Sequence, residues 1–172
     1  MRVILNTLAP SDRKEFLQAA SRSKELHAAW VSSPTTPDDF RRYLKADTAR
    51  NERLLLRKRE DNAVAGAFNL NEIVRGVFQS AYLGYYAFAP HNGQGLMSEG
   101  MQLLQRHAFS TLKLHRIEAN IQPDNLDSIA LVKATGFQLE GLSRRYLKIR
   151  GRWRDHQRWA LLAEDWREQR TT

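Results

Sequence analysis

The stretch 79–112 constrains this chain more than any other. It opens with QSAYLGYYAF, an apolar run rich in aromatics that reads as a central strand. It closes with Met97, Met101, Leu104 and Ala108, spaced by four, three and four residues, one buried face of a helix over roughly 94–112. Between them lies Pro90-His91-Asn92-Gly93-Gln94-Gly95-Leu96-Met97. Two glycines one residue apart let a backbone turn tightly and approach a ligand closely. The free N–H groups of the helix start, helped by the helix dipole, then face an anion such as a pyrophosphate. A plain tight turn fits the same residues. The segment is no P-loop, lacking Gly-Lys-Ser/Thr, and no complete Rossmann fingerprint.

The rest of the chain frames this junction. Leu8 to Asp12 reads as a strand ending in a helix start, and Phe16, Leu17 and Ala20 follow with helical spacing. A second helix opens at Thr36-Pro37-Asp38-Asp39, where Thr36 can cap, Pro37 suits the first position and the acids complement the dipole. Residues 53–58 and 64–68 form two apolar runs around an Asp61-Asn62 turn. Residues 115–122 alternate as a strand. Residues 128–135 form a short helix stopped by Gly136 in a left-handed conformation. A hairpin over 137–162 turns at Arg150-Gly151. The order β-α-α-β-β-β-α-β-α-β-β predicts an α/β (α+β) fold, a mixed sheet with helices on its faces. With no linker or repeat in 172 residues, 1–172 is expected to be one domain.

Composition then excludes several chemistries. The chain has no cysteine, so disulfides, Cys-based zinc sites and an acyl-cysteine intermediate are ruled out. Its five histidines form no His-x-x-x-His pair, and no metal is expected. No apolar run nears the ~20 residues of a membrane span. The N-terminus lacks a secretory-signal pattern, so a cytoplasmic protein without membrane attachment is expected. The net charge of +8 fits simple solubility, a polyanionic ligand or an RNA-rich partner such as a ribosome.

A second motif runs Asn120-Ile121-Gln122-Pro123-Asp124-Asn125-Leu126-Asp127-Ser128, then Leu131 and Gly136-Phe137. Asn125 or Asp127 can serve as a helix cap. Alternatively, Asn125 and Ser128 share one side of a helix start beside an acyl donor. There the amide fixes a polar chain and the hydroxyl gives a proton to a leaving thiolate.

Together the two motifs resemble the GNAT acetyltransferase superfamily. Gly93-Gln94-Gly95 is similar to the end of its coenzyme-A loop, with Pro90 where that loop usually has Gln or Arg. Asn125-x-x-Ser128-x-x-Leu131-x-x-x-x-Gly136-Phe137 is similar to its second motif. Tyr82-Leu83-Gly84-Tyr85, His115-Arg116-Ile117-Glu118-Ala119-Asn120 and Gly151-Arg152-Trp153-Arg154-Asp155-His156 resemble the branch that acetylates N-terminal alanine on ribosomal proteins.

The resemblance implies a mostly antiparallel sheet whose middle strands, 82–88 and 116–121, splay apart for a pantetheine arm. It also implies acetyl-coenzyme A as cosubstrate, held by Phe88, Asn92, Gly93, Gln94, Gly95, Leu96, Met97, Asn125 and Ser128. Ser128, Glu118 and Asn125 are the catalytic candidates, and Tyr85 and Asn120 the acceptor-binding ones. Glu118 is the candidate base because it shares a strand face with Asn120; a surface pair with Arg116 or Lys113 is the alternative. Glu99 is a weaker candidate base. Trp153 and Trp159 are expected to pack, and Arg75-Gly76-x-Phe78 is a candidate acceptor rim. The acceptor is expected to be a protein N-terminus. The alternatives are a small amine and, in another class, a non-catalytic ribosome- or RNA-binding protein, for which no aromatic-basic motif stands out in the sequence.

Overall fold

The computed structural model describes residues 1–46 and 48–169. Seven strands form one sheet: β1 (Val3–Thr7), β2 (Glu52–Lys58), β3 (Val64–Val74), β4 (Ser80–Ala87), β5 (Arg116–Ile121), β6 (Gln138–Ile149) and β7 (Arg152–Leu162). Their order is β1-β2-β3-β4-β5-β7-β6. The β4/β5 pair is parallel, and the other neighbours are antiparallel. A parallel pair needs a crossover, and α4 (Leu96–Arg106), extended by a π-helical turn at His107–Thr111, supplies it.

Among the described residues there are also five shorter α-helices, α1 (Arg13–Arg22), α2 (Lys24–His27), α3 (Pro37–Lys45), α5 (Leu126–Ala134) and α6 (Ala163–Glu168), and a 3-10 turn at Pro10–Asp12. The expected order holds, with α2 and α6 as additions too short to show a periodic pattern. Thr36 caps α3, its Oγ1 accepting the Asp39 N–H at 3.1 Å. Gly136 follows α5 with φ +90°, as expected of a left-handed stop.

Strand alternation sorts the apolar residues into two cores. Leu54, Leu56, Phe68, Leu70 and Ile117 face α4 and α5, meeting Met101, Leu104 and Val132. Leu55, Ala67, Tyr86 and Phe88 face the other way, toward Phe16 and Phe40 of α1 and α3. The Phe16 ring meets Phe40 and Phe88 edge-on, with centroids 5.3 and 5.4 Å apart. Helix α4 lies close to the sheet because residue 100 has no side chain: a Cβ there would come within 2.8 Å of Leu56 and Phe68.

The feature that positions the site is a short register. β4 and β5 pair only from Ser80↔Arg116 to Tyr82↔Glu118. Beyond that pair β4 stays with β3 as far as Ala87, and β5 stays with β7 as far as Ile121. The two central strands therefore part, as the resemblance implied.

Candidate active site

A cavity of about 530 Å³ lies where β4 has left β5, lined by the end of β4, the loop after it, helix α5 and the region of α2. At one end is the loop after β4. Gly93 and Gly95 have φ of +72° and +77°, the left-handed region that glycine adopts without strain. Gly95 is the N-cap of α4 and offers no side-chain cap. Among the described residues, the N–H groups of Gly93, Gly95, Leu96 and Met97 meet no protein acceptor. Such a row of free donors at a helix N-terminus suits a phosphate.

Arg2, just before β1, holds this loop from behind. Its Nη2 donates to the Gln94 carbonyl at 3.0 Å, while its Nε donates to Glu99 Oε1 at 2.6 Å. The Arg2 backbone N–H donates to the other oxygen of Glu99. These hydrogen bonds hold the Glu99 carboxyl below its usual range. Glu99 is committed to the loop's support.

The middle of the cavity is a pair of hydroxyls. Asn125 caps α5, its Oδ1 accepting the Ser128 N–H at 3.2 Å. Ser128 Oγ in turn lies 2.6 Å from the Tyr85 hydroxyl of β4. Burial pushes the Tyr85 phenol well above its usual range, so it stays protonated at neutral pH.

The far wall is one that sequence reasoning missed. Leu26, His27, Trp30 and Val31, from α2 and the segment after it, line the cavity. The His27 ring packs edge-on against Tyr86, and its Nε2 lies 2.7 Å from the Ala87 carbonyl, which makes that nitrogen the donor. Nδ1 is left to accept from the Ser33 hydroxyl at 3.3 Å. Burial lowers the pKa of this imidazole, opposed by the Ala87 bond. A histidine with no partner nearby in sequence carried no signal of this.

Of the expected ligand contacts, Asn92, Gly93, Gly95, Leu96, Met97, Asn125, Ser128 and Tyr85 line the cavity together. The Phe88 side chain does not: it is fully buried among Phe16, His27 and Tyr86, and serves packing. The Gln94 side chain turns back to the Pro90 carbonyl. Glu118 is ion-paired with Arg116 at 2.7 Å and lies outside the lining. Its face of β5, opposite the buried Ile117 and Ala119, also carries Asn120, whose Oδ1 is buried without a partner. Tyr146 stands near Tyr82 and Glu118, its phenol pKa raised by burial first.

Two further expectations are corrected. Trp153 does not pack, being 60% exposed, whereas Trp159 does. Arg75 and Phe78 lie at the turn before Ser80, the end of β4 where the strands are still joined, and so are no rim of this cavity. Among the described residues no cluster of three or more His, Cys, Asp or Glu could hold a metal, and no helix is long and apolar enough to cross a membrane.

Known proteins resemble this chain in sequence and fold. A probable N-acetyltransferase of Bacillus subtilis is 44% identical over 105 residues, 61% of this chain and 58% of its own. The ribosomal protein uS5-alanine N-acetyltransferase of Escherichia coli is 39% identical over 107 residues, 62% of this chain and 55% of its own. The chain thus spans somewhat over half the length of these curated relatives. Among solved structures, the ribosomal-protein-S5-alanine acetyltransferase of Vibrio fischeri superposes with a TM-score of 0.85 at 23% identity, covering 96% of both chains. The spermidine N-acetyltransferase of Vibrio cholerae, solved with CoA and spermine, reaches 0.81 at 20% identity, covering 96% of this chain and 98% of its own. The model of the acetyltransferase (GNAT) domain matches residues 2–138, and on that match the chain belongs to the GNAT acetyltransferase family.

Proposed function

We propose that this protein transfers an acetyl group from acetyl-coenzyme A to the α-amine of a protein N-terminus, in the cytoplasm, with 1–172 acting as one catalytic domain. The observation that carries the reading is the Tyr85–Ser128 hydroxyl pair, set in a cavity that begins at the free N–H groups of the 93–97 loop. The loop suits the pyrophosphate. The largely apolar walls, with Leu96, Met97 and Leu131, suit a pantetheine arm. Tyr85 donates its proton to Ser128 Oγ, leaving the serine proton free to reach a departing thiolate. Beyond Tyr82, the β4 backbone groups turned toward β5 lack a strand partner, which suits them to hold a thioester oxygen.

The amine enters from the sheet face of Glu118 and Asn120. Glu118, acting through water, is the proposed base, and the unpartnered Asn120 Oδ1 is a fitting acceptor for the amine N–H. Direct attack in a ternary complex needs no enzyme nucleophile, in keeping with a chain that has no cysteine.

An N-terminal amine has a reference pKa of about 8 and lysine about 10.4, so at neutral pH lysine's neutral fraction is a few hundredfold smaller. A small polyamine is the second reading, supported by the fold shared with the spermidine enzyme. Among the described residues that line the cavity, Asp127 is the one carboxylate, and a polycation prefers several.

The test compares kcat/KM for an alanine-starting peptide, the same peptide N-terminally blocked but carrying one lysine, and spermidine. The alanine peptide is expected to lead by at least tenfold. A preference for either of the others overturns the N-terminal assignment, and no transfer to any overturns the enzyme.

A further inference from the structure

The net charge is concentrated in one place. Between 144 and 158 stand seven Lys and Arg residues against one acid, which leaves the rest of the chain only +2 of the total +8. These residues form the outer half of the β6–β7 hairpin, at the edge of the sheet. Arg144, Arg145, Lys148, Arg150, Arg152 and Arg154 are all exposed, and among the described residues none of them is ion-paired. The single acid, Asp155, accepts the Arg145 backbone N–H at 2.7 Å instead of neutralising a guanidinium.

Strand pairing turns this run into a two-sided surface. The register jumps from Ser143↔His156 to Leu147↔Arg154, so residues 144–146 bow outward opposite Asp155 and carry Arg144 and Arg145 away from the sheet. Nearer the tip, Lys148 pairs with Trp153 and Ile149 with Arg152. Cross-strand partners share a face, so exposed Trp153 lies beside Lys148 while Arg152 and Arg154 flank the other side. An exposed indole with Lys148 beside it and arginines on the other face of the same narrow hairpin matches a nucleic acid strand, whose phosphates need the charge and whose bases stack on the ring. A second copy of this chain would bring like charges together on this face, and an acidic peptide would leave the indole unused.

The hairpin also points to a particular place. β7 leaves β5 at the Ile121↔Gln157 pair, and the five residues before Gln157 carry the tip about 17 Å further at strand spacing. That is the end where β4 and β5 have parted, beside the start of α5. We propose that the tip of the β6–β7 hairpin is an RNA-binding surface flanking the mouth of the cavity, where it holds the phosphate backbone and stacks a base on Trp153. An acceptor presented on a ribonucleoprotein would be docked by its RNA while its amine enters the cavity. That last step rests on the acetyltransferase reading; the RNA surface does not.

The test uses the full chain and a fluorescein-labelled 20-nucleotide single-stranded RNA, read by anisotropy at several salt concentrations without coenzyme or acceptor. Changing Lys148, Arg150, Arg152 and Arg154 together to Gln is expected to weaken binding at least tenfold. It should also flatten the log–log salt dependence by about 2–3 units, at ~0.7 per lost phosphate contact. Trp153→Ala is expected to cost about tenfold with the slope unchanged. Circular dichroism and coenzyme affinity check the fold, with Arg152→Gln/Arg154→Gln as the milder substitute. Three results each overturn the proposal: equal RNA affinity in wild type and variant, poly-glutamate displacing RNA at equal charge, or light scattering showing a dimer that the variant dissolves. Acetyl transfer to a free peptide should be the same in both, so failure of the RNA surface is read separately from failure of the enzyme.

Discussion

The Tyr85 hydroxyl and Ser128 Oγ, 2.6 Å apart, join the fourth strand to the start of the fifth helix across the cavity. Neither group is charged, and each can donate to the other. With the phenol raised by burial, the pair is a proton-holding unit at neutral pH.

Ser128→Ala removes the hydroxyl proposed to protonate the leaving thiolate. It is expected to lower kcat by roughly a hundredfold while changing coenzyme affinity by less than about threefold. Tyr85→Phe leaves the serine in place and should cost less, roughly tenfold. Steady-state kinetics beside calorimetry separates the two parameters. Unchanged kcat in both variants would reduce the pair to a packing contact.

Gly95→Val tests the loop. At φ +77° a branched residue is strained by about 1–3 kcal/mol, and its Cβ would also lie 3.3 Å from Arg2 Nη2. Coenzyme binding should fall at least tenfold in a protein whose circular dichroism is unchanged. A folded variant with wild-type affinity would place the coenzyme elsewhere.

Arg2 turns the Gln94 carbonyl toward itself, and in a trans peptide the Gly95 N–H must then point the opposite way. Arg2→Ala and Glu99→Gln should therefore each weaken coenzyme binding about threefold to tenfold, with kcat at saturating coenzyme nearly unchanged. Because the two residues act through one contact, the double variant should be no worse than the poorer single one. Additive losses in calorimetry would mean that the two do not work as a unit.

His27 links stability to pH. Its folded pKa lies below the ordinary value of 6.5, and so does that of His156, in both cases through burial first. The unfolded chain therefore binds more protons just below pH 6.5. The stabilisation is complete above that pH and is lost as pH falls toward the folded pKa values. Thermal melts from pH 7.5 to 5.5 should show a declining midpoint, with a shallower decline in His27→Gln. Parallel declines would show that His27 does not titrate in this range.

Much of the fold was legible because its signals are local. The Thr36 cap, the Pro37 start, the stop at Gly136 and the Arg150-Gly151 turn each depend on residues within a few positions. The glycine turn before α4 was legible for the same reason. That the Phe88 side chain packs away from the cavity was not legible, because alternation says that neighbouring aromatics face opposite ways without saying which face is open. Trp153 was misplaced because a tryptophan in a strand pattern looks like core until β5 is seen to stop at the Ile121↔Gln157 pair, leaving the hairpin to run on beyond it.

By itself, then, the sequence determined the order of the elements, the glycine loop that opens α4 and the serine at the capped start of α5, through contacts between residues at most a few positions apart. Only the tertiary structure decided what those parts meet. The partner of Ser128 lies 43 residues away and that of Glu99 lies 97 away, and both depend on sheet register and helix packing. The same holds for the basic hairpin. As a string, its arginines are a solvated charge run; paired as strands beyond the end of β5, they become a surface beside the cavity. Register sets such neighbours, and register follows from which faces the whole chain must bury.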